Sequence, residues 1–257
     1  MIKVLIHRLY HYIKYLLTAK SIHHIHSPLL YRFVTECLNQ NNHYYCFDEI
    51  NRIRQKLVHN NDEIEYEYIG AKSFRLKKTA KIKDILKTAV SPPKYSELYF
   101  RIAIFVKSRA TLELGTSLGI NTLYLAHSSK KVVSIEGQKK LCEFANKLFQ
   151  ANWMTNIQLI HSDFDSALPV LLSDNTFDLA LIDGNHAYDA TMRYYNQLKS
   201  THTIIIIDDI YWSKDMTRAW REIVNSPDIK YTIDLYRCGI VIFNENIVHS
   251  QHFILRY

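Results

Sequence analysis

Between residues 111 and 209 the chain repeats one arrangement four times: a short apolar run ends in a carboxylate, often beside glycine, and a helix-like segment follows. The runs are rich in branched residues, which is typical of parallel strands buried on both faces of an α/β sheet. Their carboxylates are Glu113, Glu136, Asp183 and Asp208. Open α/β sheets bind ligands at the carboxyl ends of their strands, so the repeat predicts a pocket bordered by several acids.

The elements predicted around this repeat alternate strictly between strand and helix, which is typical of a doubly wound parallel sheet. Two further runs, 231–236 and 239–243, are separated by only two residues, a connection that permits only antiparallel pairing. We therefore predict an α/β fold with a doubly wound, mostly parallel seven-stranded sheet and an antiparallel C-terminal hairpin. The parallel strands are expected at residues 111–115, 131–136, 156–161, 177–183 and 203–208.

Two prolines, Pro92 and Pro93, interrupt helical patterning and mark a predicted domain boundary. We predict an N-terminal helical cap or extension at residues 1–94 and an α/β domain at residues 95–257. Helices are expected in the first part at residues 2–19, 27–39 and 48–58.

Composition and charge exclude several protein classes. No apolar run approaches the roughly 20 residues of a membrane span, and basic residues interrupt the apolar N-terminal stretch, so we expect an amphipathic helix there and not a signal peptide. The cysteines lack the spacing of a disulfide frame or a zinc site, which indicates reduced thiols and a cytoplasmic location. The chain has a net charge of +7. The excess of basic residues lies in the front part, because residues 1–110 carry 19 Lys and Arg against 9 Asp and Glu.

The segment from Glu113 to Gly119 has the pattern acid, any residue, glycine, three residues, glycine. Gly115 permits a sharp turn and a close approach of a ligand to the backbone, and Gly119 permits close packing where the next helix starts. Ile120 stands where a dinucleotide fingerprint needs a third glycine, which disfavours a pyrophosphate loop. Glu136, at the end of the next strand, can accept both hydroxyls of a ribose, as in sites for NAD and for adenosine-containing ligands.

Four blocks follow one another in the chain: Leu112-Glu113-Leu114-Gly115-Thr116-Ser117-Leu118-Gly119, then Glu136, then Ser162-Asp163-Phe164, then Asp183-Gly184-Asn185-His186. In order and spacing they resemble the class I S-adenosylmethionine-dependent methyltransferase family, particularly its small-molecule O-methyltransferase branch. The resemblance covers roughly residues 95–245 and includes the terminal hairpin. It implies that S-adenosylmethionine is the cofactor and that a methyl group goes to an oxygen, or second to a nitrogen, of a small-molecule acceptor.

The resemblance also implies which residues hold the methionine part of the cofactor. Glu113, Gly115 and Gly119 would surround it, and Ser117 and Asn121 would offer polar contacts. The alternative for the two glycines is that they form ordinary strand-to-helix turns.

The same resemblance assigns the adenosine part. Glu136 would hold the ribose, Asp163 and Phe164 would border the adenine, and Asp183 belongs to the same set of cofactor residues. The alternative for Glu136 is a solvated acid at the end of a strand.

Asp183 follows the fourth predicted strand, and Asp208 and Asp209 follow the fifth, so three carboxylates are expected in one place. Such a group could bind a hard divalent cation through oxygen, which would orient an acceptor hydroxyl and lower its pKa. The resembling catechol-type enzymes bind magnesium at the matching positions. The alternative is that Asp183 and Asp208 cap helices or form hydrogen bonds to the cofactor.

His186 stands where that branch has a lysine base, three residues beyond Asp183. Histidine is a suitable general base near neutral pH and could also ligate a metal. We therefore predict His186 and Asp183 as the catalytic residues. The alternative for His186 is that it caps the helix that follows.

Two other functions stay open from the residues alone. The turn at Gly115 and the acid Glu136 would also suit a nicotinamide-dependent oxidoreductase, against which the missing third glycine argues. The basic front part could instead form a non-catalytic module for acidic polymers, although no aromatic-glycine RNA signature supports nucleic acid as the partner. The sequence is compatible with a dimer and leaves the oligomeric state open. The lysines of this front part include those at positions 72, 77, 78, 81, 83 and 87.

Overall fold

A computed structural model of the chain describes residues 2–20, 27–39, 42–65, 79–199, 204–229, 231–243 and 250–257. The chain divides into two compact units. The terminal unit comprises Met1–Val34 and Leu179–Tyr257, and the central unit comprises Thr35–Asp178. The lysines at positions 72, 77 and 78 lie outside the described residues. The predicted division at residues 94 and 95 concerns domains and stays a prediction.

Within the described ranges, the helices are α1 (Ile2–Thr18), α2 (Pro28–Phe33), α3 (Tyr45–Val58), α4 (Ile82–Thr88), α5 (Pro93–Phe105), α6 (Ile120–Ser128), α7 (Lys139–Ala151), α8 (Phe164–Asp174), α9 (Tyr188–Leu198) and α10 (Lys214–Val224). A π-helical turn at Val34–Leu38 follows α2, where the sequence predicts a continuous helix over 27–39. The strands are β1 (Glu63–Glu65), β2 (Thr79–Lys81), β3 (Ala110–Leu114), β4 (Lys131–Glu136), β5 (Ile157–His161), β6 (Leu179–Ile182), β7 (Ile204–Ile207), β8 (Tyr231–Asp234), β9 (Gly239–Ile242) and β10 (Gln251–Ile254).

Three parallel strands form the main sheet of the central unit, with β4 between β3 and β5. Leu114 is in register with Ile135, and Glu136 is in register with His161. The carboxyl ends of the three strands therefore lie along one edge, as the sequence predicts. A separate antiparallel pair is formed by β1 and β2, which are too short to give a periodic signal in the sequence.

An aromatic cluster fixes α6 within the central unit. Phe47 of α3 packs against Phe100 of α5 and Tyr124 of α6, with ring centroids 4.9 and 5.5 Å apart. All three side chains are buried. Burying a large apolar side chain stabilises a fold by roughly 1.5–3 kcal/mol, so the cluster holds the helix whose first turn follows the glycine loop after β3.

In the terminal unit, β6 and β7 are parallel, β9 runs antiparallel to β7, and β8 runs antiparallel to β9. The predicted antiparallel hairpin is therefore confirmed. The prediction of seven strands did not include β10, which pairs in parallel with β8. The segment Gln-His-Phe-Ile has only two apolar residues, so it lacks the apolar run by which β6 and β7 could be recognised.

The N-terminal helix α1 packs against the C-terminal strands of the same unit. The Tyr15 hydroxyl donates to the carbonyl oxygen of Leu255 over 2.7 Å, and His7 Nε2 lies 2.9 Å from the hydroxyl of Thr217 on α10. α1 therefore belongs to the unit that also contains the ends of β6 and β7. None of the helices in the described ranges is both long enough and apolar enough to cross a bilayer.

Candidate active site

The loop after β3 turns back sharply enough to bring its backbone to the carboxyl edge of the central sheet. Gly115 has φ 109°, Ser117 has φ 50°, and Gly119 has φ 81°. A Cβ built on Gly119 would lie 2.7 Å from the Cε1 atom of Phe149 on α7. Glycine is therefore required at position 119 by both the backbone conformation and the packing, as the sequence predicts.

Glu136 ends β4 and binds this loop. Its Oε2 accepts the backbone N–H of Ser117, and its Oε1 accepts the backbone N–H of Gln138, both over 2.8 Å. Burial raises the pKa of the carboxyl, and the two N–H groups act in the opposite direction. A carboxylate oxygen has two lone pairs, so each oxygen keeps one for a further donor such as a hydroxyl.

The side chain of Ser117 adds a second polar group at this edge. Its Oγ is buried and has no hydrogen-bond partner among the described residues. Buried polar atoms are almost always paired in folded proteins. A polar ligand at this loop could form the hydrogen bond that the Ser117 hydroxyl lacks.

Glu113 lies beneath the loop and not on its surface. The carboxyl is fully buried, and its Oε2 accepts the hydroxyls of Thr122 over 2.5 Å and Ser134 over 2.6 Å. Burial raises the pKa of Glu113 to about 7. This arrangement ties β3, β4 and α6 together, and direct contact of Glu113 with a cofactor stays a prediction.

The side chain of Asn121, in the first turn of α6, forms hydrogen bonds with two serine side chains. Its Oδ1 accepts the hydroxyl of Ser96 over 2.7 Å, and its Nδ2 donates to the Ser91 hydroxyl over 3.2 Å. The side chain thereby joins α6 to the segment around the start of α5. Sequence reasoning missed the two serines, and no motif in the chain indicates them.

Asp163 and Phe164 follow β5 on the same edge as Glu136. Asp163 is exposed and caps α8, because its Oδ1 accepts the backbone N–H of Ser166 over 2.8 Å. Those hydrogen bonds lower the pKa of the Asp163 carboxyl. Phe164, the first residue of α8, is half-buried. Along the edge of the central sheet the order is thus the glycine loop, Glu136, and the Asp163–Phe164 pair.

The terminal unit carries the acids that follow β6 and β7. Ile182 and Ile207 are in register, and the backbone N–H of Asp208 donates to the carbonyl oxygen of Ile182 over 3.0 Å. Asp183 and His186 lie in the half-buried segment after β6. Asn185 in that segment has φ 50°. Non-glycine residues with positive φ are uncommon and gather at functional sites.

Asp208 and Asp209 share one basic partner, Arg237. Its Nη2 lies 3.1 Å from Asp208 Oδ2 and 3.5 Å from Asp209 Oδ1. The second oxygen of Asp208, which is fully buried, accepts the backbone N–H of Asp209 over 2.9 Å. Burial and the neighbouring Asp208 raise the pKa of Asp209, whereas Arg237, His186 and Arg8 lower it. Asp209 also has φ 56°.

A family model described as a methyltransferase domain matches residues 112–210, which include the glycine loop, Glu136 and the acids after β6 and β7. Residues 112–210 are therefore a methyltransferase domain. The predicted resemblance is therefore confirmed. Of the functions left open by the residues, the match selects methyl transfer over nicotinamide-dependent oxidation.

Solved structures of methyltransferases share the fold at low sequence identity. A methyltransferase of Podospora anserina, PaMTH1, bound to S-adenosylhomocysteine, is 15% identical with a TM-score of 0.59, over 86% of this chain and 97% of that one. An O-methyltransferase of Bacillus cereus in complex with S-adenosylhomocysteine is 15% identical with a TM-score of 0.55, over 82% and 96%. TomG, an O-methyltransferase of Streptomyces achromogenes, is 13% identical with a TM-score of 0.54, over 79% and 92%. These likenesses confirm the predicted α/β fold. A comparison with the sequences of curated proteins found no match.

In the part of the chain that the structure describes, the predicted metal ligands are not arranged as a metal site. Among the described residues, no group of three or more His, Cys, Asp and Glu side chains is placed to hold a metal ion. Both oxygens of Asp208 accept hydrogen bonds from protein donors, and Arg237 supplies the positive charge. Asp183, Asp208 and Asp209 as arranged do not fit a divalent cation, and the magnesium site stays a prediction from the sequence.

Arg237 is a further residue of the site that sequence reasoning missed. It occupies the two-residue connection between the predicted hairpin strands 231–236 and 239–243. A basic residue at the tip of a hairpin that closes next to the acids of β7 is the signal that could have found it. The signal becomes specific only when the pairing of β7 with β9 is known.

Proposed function

We propose that this methyltransferase transfers the methyl group of S-adenosylmethionine to an oxygen of a small-molecule acceptor. The observation that carries the proposal is Glu136, whose two oxygens each accept one backbone N–H and keep a lone pair at the carboxyl edge of the central sheet. Oxygen is favoured over nitrogen because two of the structures that share the fold are O-methyltransferases.

The residues of the central unit hold the cofactor in this proposal. Glu136 accepts the two ribose hydroxyls, and the orphaned Ser117 hydroxyl with the backbone around Gly115 contacts the methionine part. Asp163 and Phe164 border the adenine. When bound, S-adenosylmethionine supplies a methyl group on a positively charged sulfur.

The residues of the terminal unit act on the acceptor. His186 accepts the proton of the acceptor hydroxyl, so that the oxygen becomes the nucleophile. Asp209 interacts electrostatically with His186, and its negative charge would stabilise the imidazolium that forms. Asp183, two residues before Asn185, orients the acceptor in this scheme.

The cation of this site is Arg237 and not a divalent metal. The guanidinium pairs with Asp208 and Asp209 and holds the turn after β7. We therefore expect that magnesium and EDTA both leave methyl transfer unchanged. A loss of turnover with EDTA that magnesium restores would contradict this part of the proposal.

Calorimetric titration with S-adenosylmethionine and S-adenosylhomocysteine tests the cofactor site. The wild type should bind both, with dissociation constants in the micromolar range, and Glu136→Ala should weaken binding at least about tenfold because it removes the acceptor of two hydroxyls. Glu143→Ala on α7 is the matched control, since this exposed acid pairs with Lys140 at the surface. If Glu136→Ala and Glu143→Ala bound S-adenosylmethionine equally well, Glu136 would not hold the ribose.

Acceptor class is tested with a labelled methyl donor. Phenols, catechols, alcohols and amines are incubated with the wild type and the donor, and label transfer to each is measured. Transfer to hydroxyl compounds supports the proposal. Transfer to amines alone would contradict the choice of oxygen.

A further inference from the structure

The outward face of α1 consists only of aliphatic side chains. At 100° per residue these side chains fall within an arc of about 120°. No charged residue interrupts the arc. We call this surface the aliphatic face; it consists of Ile2, Leu5, Ile6, Leu9, Ile13, Leu16 and Leu17, which are between 39% and 82% exposed.

The opposite face of α1 supplies the contacts with the rest of the terminal unit. His11 and Tyr15 are the buried residues of the helix. His11 stacks on Tyr211 with ring centroids 4.6 Å apart, and the Tyr15 hydroxyl reaches the carbonyl oxygen of Leu255. Polar and aromatic groups therefore anchor the helix, and the aliphatic face is not part of the core.

The borders of the aliphatic face carry the residues that suit a lipid headgroup region. Lys3, Tyr10 and Lys14 lie along one side, and Tyr12 lies along the other. Arg8, next to Tyr12 on that side, is half-buried and stacks on Trp212 with its Cζ 4.5 Å from the ring centroid. Lysine and arginine can keep their charge in water while their methylene stems cover apolar surface, and tyrosine prefers the boundary between apolar and wet environments. This distribution is that of a helix lying in a membrane surface.

Charge distinguishes between the partners that could cover the aliphatic face. Residues 1–35 contain five Lys and Arg and no Asp or Glu, the first acid of the chain being Glu36. Two copies of α1 packed face to face would bring like charges together with no acid of either helix to pair with them. An anionic lipid surface offers the complementary charge.

We propose that α1 docks on the surface of an anionic phospholipid bilayer, with the aliphatic face inserted among the acyl chains and the basic borders at the headgroups. At about 1.5 Å per residue, 17 residues extend about 26 Å, and charged residues border the face along this length. The helix lies in the plane of the surface and does not span the bilayer.

Co-sedimentation of the full-length protein with phospholipid vesicles tests this docking. The wild type should bind vesicles of phosphatidylcholine mixed with phosphatidylserine, and bind vesicles of phosphatidylcholine alone more weakly. Leu9→Gln/Ile13→Gln should weaken binding at least about tenfold, because it removes two aliphatic groups from the inserted face. Lys3→Gln/Lys14→Gln should weaken binding to the anionic vesicles about fivefold for each lysine removed.

Val170→Gln is the matched control, because Val170 on α8 is 68% exposed and lies outside α1. It should bind vesicles as the wild type does. Both glutamine variants of α1 should keep the wild-type circular dichroism and S-adenosylmethionine affinity, which separates this test from that of the cofactor site.

Three results would overturn the proposal. The first is a wild type that stays in the supernatant with both kinds of vesicle. The second is equal vesicle binding by the wild type and Leu9→Gln/Ile13→Gln. The third is a lipid-free wild-type dimer in sedimentation velocity that the same double variant converts to a monomer, since a second copy of the chain would then cover the aliphatic face.

Discussion

The Ser134 hydroxyl on β4 donates to Oε2 of Glu113 over 2.6 Å, between positions that are direct partners in the two strands. The Thr122 hydroxyl on α6 donates to the same oxygen over 2.5 Å. The Glu113 carboxyl has no exposure to solvent, and burial raises its pKa to about 7. The ionisation of one buried carboxyl is therefore linked to the stability of the central unit.

Glu113→Gln should flatten the pH dependence of stability. Because the folded-state pKa lies above the ordinary value of 4.5, the folded form binds the proton more tightly than the unfolded chain. The resulting stabilisation is complete below about pH 4.5 and is lost as pH rises through about 7. Relative to the variant, the wild type should lose on the order of 2–3 kcal/mol of unfolding free energy over this range. Urea unfolding at several pH values between 5 and 8 measures the difference.

Glu143→Gln is the control for this measurement, since Glu143 is an exposed acid whose pKa is lowered by its hydrogen bond to Lys140. It should leave the slope between pH 5 and 8 close to that of the wild type. If Glu113→Gln also left the slope unchanged, the raised pKa of Glu113 would be wrong.

Gly119→Ala should destabilise the central unit by at least about 2 kcal/mol. The new methyl group would meet the ring of Phe149 at 2.7 Å, and alanine at φ 81° is strained. Adding Phe149→Leu should recover part of the loss, because it relieves the collision but not the backbone strain. Gly137→Ala, at a glycine without positive φ, is the comparison. Thermal unfolding compares the four proteins, and a wild-type midpoint for Gly119→Ala would refute the packing argument.

Arg237→Gln should cost about 3 kcal/mol of unfolding free energy, because it leaves the buried carboxylate of Asp208 without its cation. Adding Asp208→Asn should restore at least half of the loss. Arg109→Gln, which removes an exposed arginine 3.9 Å from Asp178, should cost less than about 0.5 kcal/mol. Urea unfolding of each variant gives the values.

Added magnesium independently tests the ion pairs of Arg237 with Asp208 and Asp209. If Arg237 is the cation of Asp208 and Asp209, added magnesium should leave the unfolding midpoint of the wild type unchanged. A magnesium-dependent increase that Asp208→Asn abolishes would instead support the metal site predicted from the sequence.

The parallel strands and the glycine loop could be predicted because each depends on local sequence. Runs such as Ile204–Ile207 are buried on both faces, and only glycine fits position 119. The short strands β1, β2 and β10 could not be predicted, because each contains at most two apolar residues and so forms no apolar run.

The parts of the site that the sequence could not give depend on tertiary contacts. Glu113 matches the first acid of the family motif, yet its side chain points into the interior, where Thr122 and Ser134 bind it. The pairing of Arg237 with Asp208 requires the register of β7 with β9, which brings the hairpin tip to the end of β7. A motif gives the order of residues along the chain and not the direction in which each side chain points.

His186→Gln tests the proposed base. With a hydroxyl acceptor identified by label transfer, kcat should fall at least about 100-fold, because general base catalysis contributes rate enhancements of that size or larger, while the affinity for S-adenosylmethionine should stay within about twofold. The pH profile of kcat should also lose its acidic limb. His59→Gln, at an exposed histidine after α3, should change neither quantity. Wild-type kcat in His186→Gln would mean that the imidazole takes no part in proton transfer.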